Sequence, residues 1–355
     1  MRMLKCGISL KYTKFITVLN VGLTKFKFLT VSFLFIAGYS AAQSDFDLSQ
    51  RHFNEALYNP AATGNTFTTA VFMHARAQWV GLEGAPTTEA VSFDSYLNNL
   101  NSAVGLAVTG DQIGFTNTYV ARLSYAYFIP IFSQSILSFG LSASLLNRNQ
   151  NASGALVDDL TDGELYYADI SENKPDFDFG LELKGPIKIG ATIRHLGPKI
   201  ASPYFKSYSM NVWSYASIKI NAMYNITIEP AISHVYRDKY SRIEGGAVFY
   251  FKRSKKTSTY NDKYWIGGMW RLHGQFAALA GISLTPQLRI GYSFDYAVGE
   301  LARISELGTH EIFISWHLNR SSSHKDIDCP AYRDHSQKAR KKRSFLNEVI
   351  SKFQF

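Results

Sequence analysis

The residues best suited to chemistry begin with HARAQWVGLEGAPTT, residues 74 to 88. His74, Arg76 and Gln78 alternate along it, Trp79 follows, and Gly81, Gly84 and Pro86 punctuate the remainder. Imidazole and guanidinium two residues apart share one face of an extended chain, so catalysis, ligand binding and architecture all remain open. A second cluster, Asp158, Asp159, Asp162 and Glu164, offers the carboxylate oxygens that calcium takes, but without the EF-hand spacing. The sequence contains no GxSxG, no HExxH, no phosphate-binding glycine loop and no paired cysteine cluster. Its nine histidines are scattered. These residues predict no enzyme, no cofactor and no metal; an outer-membrane hydrolase with Ser and His on strand faces is the enzymatic alternative.

The elements that must position these groups show period-two alternation. In QLRIGYSFDY (287–296), Leu288, Ile290, Tyr292, Phe294 and Tyr296 oppose Arg289, Gly291, Ser293 and Asp295. THEIFISWHL (309–318) sets Ile312, Ile314, Trp316 and Leu318 against Glu311, Ser315 and His317. IKIGATIRH (187–195) repeats the pattern. Such alternation predicts half-buried strands. The chain is 46% hydrophobic and 14% aromatic, with 21 Tyr and 25 Phe, yet its mean hydropathy is −0.10. Strands apolar on one face only, with aromatic girdles, reconcile these facts as a transmembrane antiparallel β-barrel. A soluble β-sandwich or barrel is the alternative. About fourteen strands are expected between 66 and 318, an even number as single-chain bacterial barrels have. Spans near 67–79, 135–146, 176–184 and 209–221 are among them. Arg76, Arg122, Arg289, Asp295 and Glu311 then line the lumen. Alternation carried through residue 79 puts Gln78 in the lumen and Trp79 on the lipid side.

Four segments follow. Residues 1–42 read as a signal peptide: lysines precede the apolar core FLTVSFLFIAG (28–38), and Ser40 and Ala42 prepare cleavage before Gln43. That core is too short for the roughly 20 apolar residues of a spanning helix, and an N-terminal anchor is the alternative. Residues 43–65 form a periplasmic or lumen-inserted segment, 66–320 the barrel, and 321–355 a basic tail. The net charge is +9, of which +6 lies on 1–42 and +4 on 321–355, leaving −1 for 43–320. The basicity is confined to the ends, which argues against a nucleic-acid partner. Cleavage removes Cys6 and leaves Cys329 alone, so no internal disulfide is expected.

With both termini periplasmic, the polar segment 147–176 falls outside and the turns 184–187 and 285–287 fall inside. The long basic connection 251–262 breaks this asymmetry. Its Lys252, Arg253, Lys255 and Lys256 share the periplasmic side with Arg340, Lys341, Lys342 and Arg343 of the tail, and a common acidic partner is expected there. Phe345, Leu346, Val349, Ile350 and Phe353 lie on one helical face, so the tail is either a docking helix or a disordered basic arm touching anionic lipid.

The segment DFDLSQRHFNEALYNPAATG (45–64), with Gln50, Phe53, Asn54, Asn59, Pro60, Ala61 and Gly64, resembles the N-terminal signature of the PorP/SprF family of Bacteroidetes. Arg76, Gln78, Trp79, Gly81, Gly84, Ala85 and Pro86 resemble the stretch that follows it there, as do Gly308, His310 and Glu311 before the last strand. The resemblance covers roughly 43–318. It implies an outer-membrane β-barrel of the type IX secretion system, serving secretion of client proteins such as gliding adhesins through periplasmic partners. The tail of 321–355 is longer than the resemblance accounts for. The competing readings are a hydrophobic-solute transporter like the long-chain fatty-acid channels, which share an Asn-Pro-Ala element, and a general porin. Asn59, Pro60, Gly64, Arg76, Gln78, Trp79, Gly81, Gly84 and Pro86 are accordingly the expected structural or partner-holding motif, with Arg76 and Gln78 able to clamp the Asn-Pro-Ala element.

Overall fold

In the computed structural model every ladder described is antiparallel, and the strands join in one sheet that closes on itself. The structure describes residues 45–132, 135–150, 170–198, 208–223, 225–237, 240–252, 262–272, 274–298 and 307–318. The contacts discussed below belong to one unit, 43–238 with 242–355. The strands are β1 (Thr69–Ala77), β2 (Thr87–Leu97), β3 (Ser102–Ile113), β4 (Thr116–Phe132), β5 (Ser135–Gln150), β6 (Ile170–Lys184), β7 (Ile187–Arg194) and β8 (Asn211–Ile218). They continue as β9 (Ile220–Met223), β10 (Ile226–Arg237), β11 (Tyr240–Lys252), β12 (Asp262–Arg271), β13 (Gln275–Ser283), β14 (Leu288–Ala297) and β15 (Thr309–Leu318). Apart from β8 and β9, sequence neighbours pair throughout, β1 pairs with β15, and β10 pairs with β11 to complete the ring.

β8 and β9 both pair with β10 and form one interrupted stave, so the barrel has fourteen. The interruption has a local cause. Pairing runs to Ala231 opposite Ser217 and resumes with Ile228 opposite Ile220. Pro230 lies in that gap and has no N–H to give the ladder.

Exposure alternates along each strand as the sequence pattern requires. Leu106 and Val108 of β3, Leu123 of β4, Leu141 and Leu145 of β5 and Ile266 of β12 form part of an apolar outer belt. Tyr119, Tyr236, Trp270 and Tyr296 ring one end of it, and Tyr127, Tyr264 and Trp316 the other. This is the lipid-facing surface of a membrane barrel. We call the end with Thr69 and Leu318 the termini end, and the opposite end the loop end.

Three boundaries differ from the sequence reading. Residues 147–150 and 170–176 extend the β5–β6 ladder, where a loop was expected, with Asn147 opposite Asn173 and Arg148 opposite Glu172. The span read as 209–221 begins at Asn211 and breaks at Lys219. β1 ends at Ala77, so the alternation does not reach Gln78 and Trp79. Gln78 donates its N–H to the Pro86 carbonyl, and Trp79 has φ +47 and donates its N–H to Thr309 Oγ1. Trp79 therefore opens a left-handed turn and is not a girdle residue on the strand. Gly81 and Gly84 continue that turn with φ +95 and +70, which the missing Cβ permits.

Residues 1–42, the acidic cluster 158–164, Arg253, Lys255, Lys256 and the whole tail with Arg340, Lys341, Lys342 and Arg343 lie outside the described residues. No described helix is long and apolar enough to cross a membrane.

Candidate functional site

The lumen is occupied by the chain's own residues 45–68. Periodicity could not show this, because the segment is built from three single turns of 3-10 helix, Arg51–Phe53, Glu55–Leu57 and Pro60–Ala62. Leu48, Gln50, Asn59 and Ala61 are fully buried. The segment enters the described region near the loop end and descends to the termini end, where Phe67 (φ +52) turns it into β1. Phe67 packs there against Tyr96 and Phe128.

Ion pairs hold its upper half. Asp45 bonds Arg194 at 2.8 Å, His195 at 2.9 Å and Asn211 at 3.2 Å. Asp47 pairs with Arg51 and, at 2.7 Å, with Arg242. Arg51 pairs with Glu244 at 2.8 Å, and Arg271 joins Glu244 at 2.7 Å to Asp295 at 2.9 Å. Arg76 reaches Asp295 at 2.7 Å, Glu311 at 3.1 Å and Ser49 Oγ at 2.8 Å. Glu311 in turn accepts the backbone N–H groups of Ser49 (2.7 Å) and Gln50 (3.0 Å). Burial raises the Asp45 carboxyl, but Arg194, His195 and Arg122 outweigh it and hold the group far below the carboxylate range. Burial lowers His195, yet Asp45 and the hydrogen bonds to Asp176 and Asp45 lift it to about 9.

Asn59 and Pro60 shape the middle. Asn59 caps the third turn by accepting the Ala61 N–H at 3.0 Å, and Pro60 at its first position already has the φ a turn needs. The Asn59 amide donates to the Leu181 carbonyl (3.2 Å) and the Tyr215 hydroxyl (3.1 Å), and Ser138 Oγ donates to the Ala61 carbonyl (2.8 Å). The wall receives this turn at Gly140 and Gly180, which face each other across β5 and β6. A Cβ at Gly140 would collide with the Ala61 and Pro60 backbone, and one at Gly180 with Asn59 Oδ1. Gly64 (φ +73) lies against Ala103 and donates its N–H to Asp94 at 3.2 Å.

Of the residues singled out in sequence, Asn59, Pro60, Gly64 and Arg76 meet in the lumen. Arg76 clamps Ser49, ten residues before the Asn-Pro-Ala element, and does not clamp that element. Gln78, Trp79, Gly81, Gly84 and Pro86 form the loop-end turn between β1 and β2. Lys252 ends β11, and its ammonium donates to Asn221 at 3.1 Å. Sequence reasoning missed Asp45, Ser49, Arg271, Glu244, Tyr215 and the Gly140–Gly180 slot. Arg271 and Glu244 carried a usable signal, since each falls on the lumen face of an alternating strand. Asp176, Asp178 and His195 could offer a cation three ligand atoms, but His195 is bonded on both nitrogens and Asp178 pairs with Arg122.

Below the seated turn a cavity of about 400 Å³ remains at the termini end, within the usual ligand-site range. Its lining includes His52, Phe53, Phe67, Phe72, Lys184 and Lys188. Glu55 sits in it 2.5 Å from Lys188; burial, with Glu182 and Glu229 nearby, lifts Glu55 to about 7 despite that lysine. Burial, with Lys188 and Arg289, lowers His52 to about 4, which leaves the imidazole neutral.

The family model described as "Type IX secretion system membrane protein PorP/SprF" matches residues 40–316. Comparison with curated proteins yields no match. Among solved structures, the outer membrane protein Omp33 of Acinetobacter baumannii is similar at 10% identity over 72% of this chain and 100% of its own, with TM-score 0.40. The toluene transporter TodX of Pseudomonas putida is similar at 10% identity over 77% and 93%, TM-score 0.43. The CymD monoaromatic hydrocarbon channel gives 10% over 76% and 92%, TM-score 0.44.

Proposed function

The chain belongs to the PorP/SprF family of type IX secretion system membrane proteins, and from that premise we propose that it is a self-plugged, non-enzymatic barrel that binds partner polypeptides. Family and fold place it in the outer membrane as a component of that secretion machinery. The finer reading is that it conducts no solute and holds a periplasmic component or a secreted client at the termini end.

One observation carries this reading: residues 45–68 fill the lumen through ion pairs and a fitted glycine slot, and space is left at the termini end. A general porin needs an open aqueous bore, and a hydrophobic-solute transporter an apolar path. The upper lumen is instead crossed by Arg76, Arg271, Asp295 and Glu311.

The test combines two measurements on the full chain. Planar bilayers should show no steady conductance, and affinity capture after cross-linking in cells should recover periplasmic secretion components. Deleting 321–355 should release that partner while the barrel still folds. Steady conductance favours the porin, and saturable hydrocarbon uptake favours the transporter.

A further inference from the structure

The termini-end cavity opens to solvent beside two neighbouring residues of the wall. Pro186, in the turn between β6 and β7, and Lys219, at the break after β8, both line it and are both exposed. Ile187 pairs with Ile218, so the two stand side by side at the end of that ladder. Lys219 is the cation of this mouth. Its side chain is 53% exposed, against 8% for Glu229, and its ammonium stays 3.7 Å from that carboxylate, beyond hydrogen-bond length. Lys184, beside the same turn, donates to the Asn65 carbonyl and lies 4.5 Å from the Phe67 ring centroid.

The carboxylates of the cavity already have partners. Glu55 pairs with Lys188, Asp94 accepts the Gly64 N–H, and Glu229 accepts the Ser217 and Tyr250 hydroxyls. None of the three is exposed. Lysines and carboxylates are thus equal in number around the lining but not in position, because the charge that meets water is positive. Lys252 adds to it, since its ammonium is bonded to Asn221, two residues beyond Lys219. Phe53, Phe67 and Phe72 give the lining an apolar side. Such a site draws an anion to its mouth and rewards apolar groups attached to it. The chain's own tail is a poor occupant, since 321–355 carries +4 and the mouth repels it.

We propose that this cavity is the socket for an acidic stretch of a partner polypeptide. Carboxylate side chains of that stretch pair with Lys219 and Lys184 at the mouth, and a neighbouring large apolar side chain packs against the phenyl rings. An ammonium has three N–H groups, so Lys184 keeps its bond to Asn65 while it pairs. This deepens the partner-binding reading and rests on it, by naming where a polypeptide enters and what it carries. Its test needs no secretion machinery, so its failure would leave the recovery of secretion components from cells untouched.

The purified full-length barrel, in a non-ionic detergent, is titrated with acetyl-Phe-Glu-Glu-Phe-amide and with its Gln-Gln counterpart. The acidic peptide should bind about tenfold more tightly at low ionic strength. That difference should shrink at about 1 M salt. Lys219→Gln, at an exposed position, should remove most of the preference in a folded barrel, and Lys219→Arg should keep it. Adding Lys184→Gln to Lys219→Gln should remove the rest. Equal affinity of the two peptides, or binding of neither at millimolar concentration, overturns the proposal. A preference undiminished in the folded double variant overturns the assignment to these lysines. Dodecanoate, binding as tightly as the acidic peptide, reduces the cavity to a site for amphiphilic acids and overturns the polypeptide. Binding of the acidic peptide that appears only after deletion of 321–355 makes the tail the occupant and overturns the partner.

Discussion

Gly140→Val should unseat the middle of the plug while leaving the wall intact. Valine favours strands, and both ladders of β5 are main-chain bonds that the substitution does not touch. Its Cβ, however, would occupy the position of the Ala61 backbone. Unseating the turn removes the two Asn59 amide bonds and the Ser138 bond, at about 1 kcal/mol each. It also exposes the buried Leu57, Ala61 and Ala62, for roughly 2 kcal/mol more. The total, about 3–5 kcal/mol, shifts the seated-to-unseated ratio by about two to three and a half decades.

Amide hydrogen exchange resolved by mass spectrometry reads this directly. Residues 57–65 should exchange faster by about that factor, while amides of β5 and β6 keep their native protection. The barrel should stay closed to ions, because Ser49 and Gln50 are still held by Arg76, Arg271 and Glu311. Adding Arg76→Met should then open it. Unchanged protection of 57–65 in a folded Gly140→Val barrel would refute the glycine slot as the seat of the Asn-Pro-Ala turn.

Three further outcomes are expected. Arg76→Met alone strands Glu311 and part of Asp295 in the lumen and should cost about 3–5 kcal/mol, read as a lower unfolding midpoint in urea with refolding into detergent. His195, lifted to about 9 in the folded protein against an ordinary value near 6.5, contributes stability that is whole below about pH 6.5 and is lost as pH rises through 9. Protection of the Phe46–Leu48 amides should fall across that window and become flat in His195→Gln. Leu123, 64% exposed in the middle of the outer belt, should cost about 2–4 kcal/mol in bilayer insertion when changed to Arg, whereas a folding deficit confined to detergent-free water would contradict a lipid-facing surface.

The wall was legible because a strand's two faces are written in alternate residues. Arg289, Ser293 and Asp295 could be assigned inward from β14 alone. The break at Lys219 was written in Pro230, but on the neighbouring strand, so it became visible only with the register. Trp79 misled because alternation gives no sign of its own end; the left-handed turn that takes over depends on contacts with Thr309 of β15 and with Gly308 just before it. The plug was the least legible part. Its three turns have no period, and its partners are spread from His74 to Glu311. The Gly140–Gly180 slot looked like two ordinary strand glycines, because nothing in either strand tells which segment will approach it.

A polar lumen raises the question of why a plugged barrel is not simply filled with apolar side chains, which would avoid burying so many charges. The lipid outside supplies an answer. If both faces of every strand were apolar, a shift of one residue in register would exchange them at little cost. With Arg76, Arg122, Arg194 and Arg271 on one parity, the same shift would turn four guanidiniums toward the lipid, at about 2–4 kcal/mol for one near the midplane and about 0–1 kcal/mol for one at the interface. The plug then completes what the wall begins, since Asp45 and Asp47 bring the carboxylates that Arg194 and Arg242 would otherwise lack at close range. Wall and plug thus specify one another, and register errors are penalised twice.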